Sequence, residues 1–220
     1  MKIAVTGGNG LLASELGKIN SSLTLFSKKE VDITKPETFN KFDKFDIILH
    51  PAARIDVSKI KGNEKEFIDV NIVGTANIAK YCLENNKRLI YISTDYVYSG
   101  KGNHKENEPI LPYNIYSWSK IGGEASVRFL NDYLIIRTSF GPSKFPYEYA
   151  YENLYTSKDY VDIIAPLINK AVMSNLVGTV NVGNEKKSIH QWASKRNQVK
   201  KGKLENEMDF SLNLDKFNSI

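Results

Sequence analysis

The chain has 220 residues, 41% hydrophobic and 25% charged, enough for one ordinary soluble α/β core and too few for a full second domain. A formal net charge of +5 suits an anionic ligand, but the basic residues are scattered, which argues against a nucleic-acid-binding arm. No apolar run reaches membrane-spanning length, and Gly7-Gly8-Asn9-Gly10 breaks the apolar opening too early for a secretory core, so a cytoplasmic protein with neither membrane nor nucleic-acid partners is expected.

Residues 2–6 read as a short buried strand, followed by a glycine turn and by Leu11, Leu12, Leu16 and Ile19 at helical spacing. Residues 23–26 give a second strand, 36–42 a brief helix and 46–50 a third strand. From 64 to 84, Ile68, Ile72, Ala76, Ala79 and Leu83 recur three or four apart and mark a helix with one buried face. Cys82 falls within that pattern as a buried thiol, and one cysteine makes neither an internal disulfide nor a zinc site. A strand over 88–93, a polar loop over 99–112, a helix over 115–130 and a strand over 133–137 follow. Beyond 137 the pattern weakens: 142–155 reads as an aromatic-rich loop, 161–173 as a helix, 178–182 as a last strand and 195–203 as a solvated basic tail. The alternation predicts an α/β fold with a Rossmann-like, doubly wound parallel sheet covered on both faces. Residues 1–140 form its core, and 141–220 add a small substrate-binding extension to the same compact unit.

In Thr6-Gly7-Gly8-Asn9-Gly10-Leu11-Leu12-Ala13 the glycines stand where the first strand turns into the first helix. There they permit a tight turn and a close approach of the backbone to a pyrophosphate resting on free helix N–H groups, so dinucleotide binding is expected. The second strand ends in Phe26-Ser27-Lys28-Lys29. A basic group there accommodates a 2′-phosphate, whereas an acid would hold a ribose 2′-hydroxyl. The expected cofactor is therefore NADP(H), with Ser27 and Lys28 as contacts.

Of the twelve tyrosines only Tyr116 has a lysine, Lys120, four residues on. On a helix these positions share a face, so phenol and ammonium can point into one pocket. A phenol is a poor acid at neutral pH, and a neighbouring cation brings its proton transfer into range. Thr94 follows a buried strand and so sits at the carboxyl edge of the sheet, where open α/β folds bind ligands. His50 reads as a hydrogen-bonded histidine near the cofactor rather than a base. His104 and His190 lie far from any acidic cluster, so no metal is expected. Gly122 and Gly123 weaken the Tyr-Lys helix by about 1 kcal/mol each relative to alanine, which implies that something packs closely there.

These motifs come together in one resemblance. Thr6-Gly-x-x-Gly, Pro51-Ala52-Ala53 after a strand, Asn71-x-x-Gly74-Thr75-x-Asn77, Ser93-Thr94-Asp95-Tyr96-Val97-Tyr98, Tyr116-x-x-x-Lys120 and Arg137-Thr138-Ser139 resemble the extended short-chain dehydrogenase/reductase family. The nearest branch is that of the dTDP-4-dehydrorhamnose reductases. The likeness is dense over the first 140 residues and looser onward, where Thr156-Ser157-Lys158-Asp159-Tyr160-Val161 and Gly178-Thr179-Val180-Asn181-Val182-Gly183 keep the family's order.

The resemblance implies an NADP-dependent reductase of a nucleotide-linked 4-keto sugar. Tyr116 would be the general acid, Lys120 would hold the nicotinamide ribose and lower the tyrosine pKa, and Thr94 would hydrogen-bond the reacting oxygen. Asp32 and Ile33 would lie near the adenine. Gly7, Gly10, Leu11, Leu12, Pro51, Ala52, Ala53, Asn71 and Ser93 would complete the cofactor site, and Asp95, Tyr96 and Phe140 would meet the substrate. A homodimer through the Tyr-Lys helix is implied as well, and would explain Gly122 and Gly123.

Departures from the family narrow the chemistry. Asp95 is followed by Tyr96 where 4,6-dehydratases carry a glutamate, which disfavours dehydration, and no cysteine lies near Thr94, which disfavours coupled epimerisation. Phe140 stands where the rhamnose-type enzymes have a stacking tryptophan. Phe145, Tyr147, Tyr149 and Tyr151 are candidates either for stacking on the ligand or for core packing. A single-site 4-epimerase and a non-catalytic NADP-binding regulatory subunit remain as alternatives.

Overall fold

The computed structural model describes residues 2–56 and 60–220. Six short strands, β1 (Ile3–Val5), β2 (Leu23–Leu25), β3 (Ile47–His50), β4 (Arg88–Thr94), β5 (Tyr133–Thr138) and, last in the chain, β10 (Gly178–Asn181), form one parallel sheet. Their order is β10-β5-β4-β3-β1-β2, so the chain reverses direction across the sheet between β1 and β3. In such sheets a crevice opens beyond the carboxyl ends of the two strands at that reversal.

Alternate strand residues divide the core in two. Ile3, Val5, Leu49, Ile92 and Ile136 meet α1 (Leu11–Ile19) and α5 (Val161–Val172) on one face. Ala4, Ile48, Leu89, Tyr91 and Ile135 meet α3 (Thr75–Glu84) and α4 (Ile115–Val127) on the other, together with Phe39 and Phe42 of the short helix Pro36–Phe42. The helix expected over 64–84 is present in three parts: α2 (Glu64–Phe67), a π-wound stretch Ile68–Gly74, and α3. Cys82 is buried, and burial pushes its thiol up to about 12, so it is a packing group.

The last third departs from expectation. Within 142–155 lies one strand, β7 (Tyr149–Tyr151), and a second, β8 (Leu154–Thr156), begins, after the two-residue β6 (Phe140–Gly141), which pairs with β9 (Asp159–Tyr160). The basic stretch 195–203 is not a free tail: β12 (Lys200–Gly202) pairs with β7, and Arg196 makes a two-pronged ion pair with Asp162 at 2.9 and 2.7 Å. Between them, β11 (Lys187–Ser188) pairs with β8 and leads into α6 (Ile189–Ser194). A further strand, β13 (Met208–Phe210), lies on the other side of β8, and α7 (Asp215–Asn218) ends the chain. Among the described residues, no helix is long and apolar enough to cross a membrane.

Candidate active site

The glycine turn and the loop after β3 form one cradle. Gly7 adopts φ +64°, a conformation L residues avoid, and a Cβ there would stand 3.0 Å from that of Ala52. Gly8 donates its N–H to Phe26 O at 2.7 Å, binding the turn to the end of β2. Gly10 opens α1 with no side-chain cap and no acid in its first turn, which leaves the helix N-terminus available to an anion. Leu12 is turned into the core and Leu11 is exposed, so what they offer a ligand here is main-chain N–H. Backbone that close, with no side chain filling it, fits a dinucleotide pyrophosphate.

His50 lies behind this cradle, its Nδ1 2.7 Å from Thr6 Oγ1 and its Nε2 3.1 Å from Thr75 Oγ1. Burial, reinforced by the Lys120 charge, pushes its pKa down to about 3, so it is the neutral, satisfied histidine expected. Asn71 is committed to the loop: Nδ2 donates to Arg54 O at 2.9 Å and to Ser119 Oγ at 2.8 Å, while Oδ1 accepts from Arg54 N at 2.7 Å. It holds the segment carrying Pro51, Ala52 and Ala53 against α4.

At the end of β2, the main-chain N–H and hydroxyl of Ser27 both donate to Glu30 Oε2, at 2.8 and 2.7 Å. Lys28 is exposed. Asp32 spends one oxygen on Thr34 N and Oγ1, at 3.0 and 2.8 Å. Ile33 is a core residue, 6% exposed, against which Gly74 packs closely.

Thr94 ends β4 at the carboxyl edge of the sheet, and Tyr116 and Lys120 stand one turn apart on α4, which packs against β4. Asn114 and Ser117 form a reciprocal cap that fixes the start of α4. Tyr116 is then half-buried and Lys120 is 2% exposed, with its Nζ 4.1 Å from the centre of the Tyr91 ring. Burial pulls the Lys120 pKa down to about 7, and Glu124 opposes this only in part. Thr94 donates to Asp95 Oδ1 at 3.2 Å and accepts from Tyr96 N at 3.3 Å. Burial pushes Asp95 up to about 6, against the charge of Lys158 and the hydroxyls of Thr94 and Ser139.

Burial and then the Asp95 charge raise the Tyr116 phenol well above its ordinary value. A depressed phenol was expected from Lys120. The ammonium instead lies over Tyr91, and the charge acting on the phenol is negative, so in the free protein Tyr116 is held protonated.

Two expected contacts are otherwise engaged. The Ser93 hydroxyl donates to Glu124 Oε1 at 2.6 Å, and Glu124 is also gripped by Arg137. Phe140 packs against the main core. The aromatic faces beside Thr94 are Tyr96, Tyr113 and Phe210, with Phe210 at 5.0 and 5.1 Å from the two tyrosines; Tyr113 and Phe210 are additions to the expected set. Phe145 is core, at 5.4 Å from Trp192, whereas Tyr147 is 70% exposed.

Lys158 is a further addition, half-buried beside Asp95 with its Nζ 4.9 Å from the Trp192 ring. Gly122 and Gly123 make room for Ile72 and for Tyr91 and Asn71 of the same chain, so they require no partner subunit. Among the described residues, no cluster could hold a metal ion.

The model of the RmlD substrate binding domain matches residues 1–164. The chain belongs to that family. Relatives of this RmlD-family chain include a dTDP-4-dehydrorhamnose reductase of Mycobacterium tuberculosis, 29% identical over 57% of this chain and 45% of that protein. They also include the probable low-salt glycan biosynthesis reductase Agl14 of Haloferax volcanii, 33% identical over 62% of this chain and 52% of that protein. The chain thus spans about half the length of these curated relatives. A solved dTDP-4-dehydrorhamnose reductase of Bacillus anthracis, in complex with NADP, superposes with a TM-score of 0.86 at 26% identity, over 100% of this chain and 93% of that one. The RmlD family thus bears out the resemblance read from the motifs.

Proposed function

We propose that this chain is an NADP-dependent reductase of a nucleotide-linked 4-keto-6-deoxy sugar, acting in polysaccharide or deoxysugar biosynthesis. The observation that carries this reading is the placement of Tyr116 and Lys120 one turn apart on α4, with the phenol under the charge of Asp95, the residue after Thr94, together with an α1 N-terminus open to a pyrophosphate. The named relatives are reductases and the Bacillus anthracis structure contains NADP, which supports the same cofactor and reaction class.

Gly7, Gly10, Leu11 and Leu12 would hold the pyrophosphate through backbone N–H groups, with Ala52 walling the cradle. Ser27 and Lys28 would face the adenosine end, and Lys120 the nicotinamide ribose hydroxyls. The reduced nicotinamide, when bound, supplies the hydride to the sugar ketone carbon. Tyr116 gives its proton to the ketone oxygen, and its raised pKa keeps that proton in place until the oxygen becomes basic. Thr94 would turn its hydroxyl from Asp95 Oδ1, to which it donates in the free chain, to the same oxygen. Asp95 is available to the sugar hydroxyls, and Tyr96, Tyr113 and Phe210 offer apolar faces to the sugar or base. Residues 1–140 thus carry the cofactor, and 141–220 complete the substrate face.

A homodimer is part of this reading. Ile115, Trp118 and Phe129 of the α4 region and Ile68 and Val73 of the neighbouring π-wound stretch are exposed apolar side chains, from 45% for Val73 to 81% for Phe129. Sedimentation of the protein and of Trp118→Glu tests it: a dimer that dissociates in the variant is expected, and a monomeric native protein would contradict it.

NADPH consumption with a panel of dTDP- and UDP-linked 4-keto-6-deoxy sugars tests the reaction. Oxidation with one of them is expected. Binding of NADPH without turnover across the panel would overturn the reductase.

A further inference from the structure

Lys158 immediately precedes β9, and the parallel pairing of Asp159 with Phe140 brings it level with Ser139. The Ser139 hydroxyl donates to Asp95, so carboxylate and ammonium belong to one cluster. The lysine is held in place along its length. Its main-chain N–H donates to Thr156 Oγ1 at 3.0 Å, its carbonyl accepts from Lys187 Nζ at 3.3 Å, and its own Nζ rests 4.9 Å from the centre of the Trp192 ring. Gly141 leaves the space for this: a Cβ there would collide with Trp192 and stand 3.4 Å from Lys158 Cε. The ammonium, however, has no acceptor of its own. Among the described residues, Nζ makes no hydrogen bond and no close ion pair, and Asp95 acts on it through its charge at longer range. Three N–H donors are costly to leave unmet in so enclosed a place, and burial pulls the Lys158 pKa below its ordinary value.

We propose that Lys158 is a specificity residue for the sugar: with Asp95 it takes the hydroxyl on the carbon next to the ketone, and so selects substrates that carry one. An ammonium only donates and a carboxylate only accepts, whereas a hydroxyl does both, so one hydroxyl set between the two satisfies each. A phosphate suits the place less, because Asp95, at about 6, is mostly ionised at neutral pH and would repel it. The position on the sugar follows from the chain. Asp95 adjoins Thr94, the donor to the reacting oxygen, and of the two carbons flanking a 4-ketone in a 6-deoxy sugar one bears a hydroxyl and the other the methyl group. The inference rests on the reductase reading. Its structural rival is that Lys158 only balances the Asp95 charge inside the fold.

Lys158→Met keeps an apolar stem over Trp192 and removes the charge. The readout is kcat/KM for NADPH oxidation with two dTDP-linked 4-keto-6-deoxy sugars, one bearing the hydroxyl next to the ketone and one deoxygenated at that carbon, with NADPH affinity measured alongside. The native protein is expected to prefer the hydroxylated sugar by at least about 30-fold. Lys158→Met is expected to cut that preference below about fivefold through the hydroxylated sugar alone, with NADPH bound within about twofold of native. A native protein that takes both sugars equally would overturn the proposal and leave the reductase standing. So would a variant that loses activity on both by the same factor, since a merely structural role weakens both alike. A native protein that oxidises NADPH with neither sugar would overturn the reductase and the inference together.

Discussion

Arg137 donates to both carboxylate oxygens of Glu124, through Nε at 3.0 Å and a terminal nitrogen at 2.8 Å, tying the end of β5 to the helix that carries Tyr116 and Lys120. Each partner is 2% exposed or less, Ser93 supplies a third donor to Glu124, and Tyr98 accepts from the remaining guanidinium nitrogen at 2.9 Å. A buried pair so fully hydrogen-bonded becomes costly when half of it is removed, because a charge is left without a partner. Arg137→Met is expected to lose about 3–5 kcal/mol in denaturant unfolding. A loss below about 1 kcal/mol would mean that the pair does not anchor α4.

Asp95 gives stability a specific pH dependence. Its pKa in the fold is about 6, raised mainly by burial, against about 3.9 in an unfolded chain. Between these values the unfolded chain gives up the proton while the folded chain keeps it, so the contribution of Asp95 to stability is present at low pH and lost as pH rises through about 6. Asp95→Asn is expected to be more stable than the native protein at pH 8, by roughly 2–3 kcal/mol, and to lose that advantage near pH 4. Unfolding curves at the two pH values check it; a variant less stable at pH 8 would show that Asp95 is held by more than its neighbours Thr94, Ser139 and Lys158.

Gly7 sets the cradle by its left-handed conformation and its contact with Ala52. Gly7→Ala strains the turn by roughly 1–2 kcal/mol and pushes apart the two loops that flank the crevice. Nucleotide affinity is expected to fall at least tenfold while the sheet stays folded. Unchanged affinity by fluorescence titration would place the dinucleotide elsewhere.

Gly123 is the other glycine with a direct consequence. A methyl group there would collide with the Tyr91 hydroxyl and stand 3.0 Å from Asn71 O. Gly123→Ala should cost about 1–3 kcal/mol of stability and shift the ring on which Lys120 rests, lowering turnover more than substrate affinity. A crystal structure of the variant with Tyr91 unmoved would contradict this.

Much of this was legible in the sequence. Buried strands three to seven residues long, each bounded by glycine or polar turns, declared the sheet, and the Tyr116–Lys120 spacing declared one face of α4. The missed parts depend on distant partners. β7 and β12 pair across about fifty residues, and Lys158 meets Asp95 from sixty-three residues away, so no local period signals either. The stretch 195–203 looked solvated because an edge strand whose Lys200 and Lys201 pair with Glu148 and Glu152, preceded by an Arg196 paired with Asp162, has the composition of a tail. Glu30 did leave a signal. Ser27-x-x-Glu30 is a capping pattern, legible as such but hidden by the reading of Ser27 and Lys28 as the ligand contacts.

The most direct measurement is the rate of NADPH oxidation by Tyr116→Phe beside the native protein, with a dTDP-linked 4-keto-6-deoxy sugar and with NADPH affinity measured on both. Loss of the phenolic proton should lower turnover by about 10²–10⁴-fold while NADPH binds within about twofold of native. A variant that keeps native turnover would contradict Tyr116 as the proton donor.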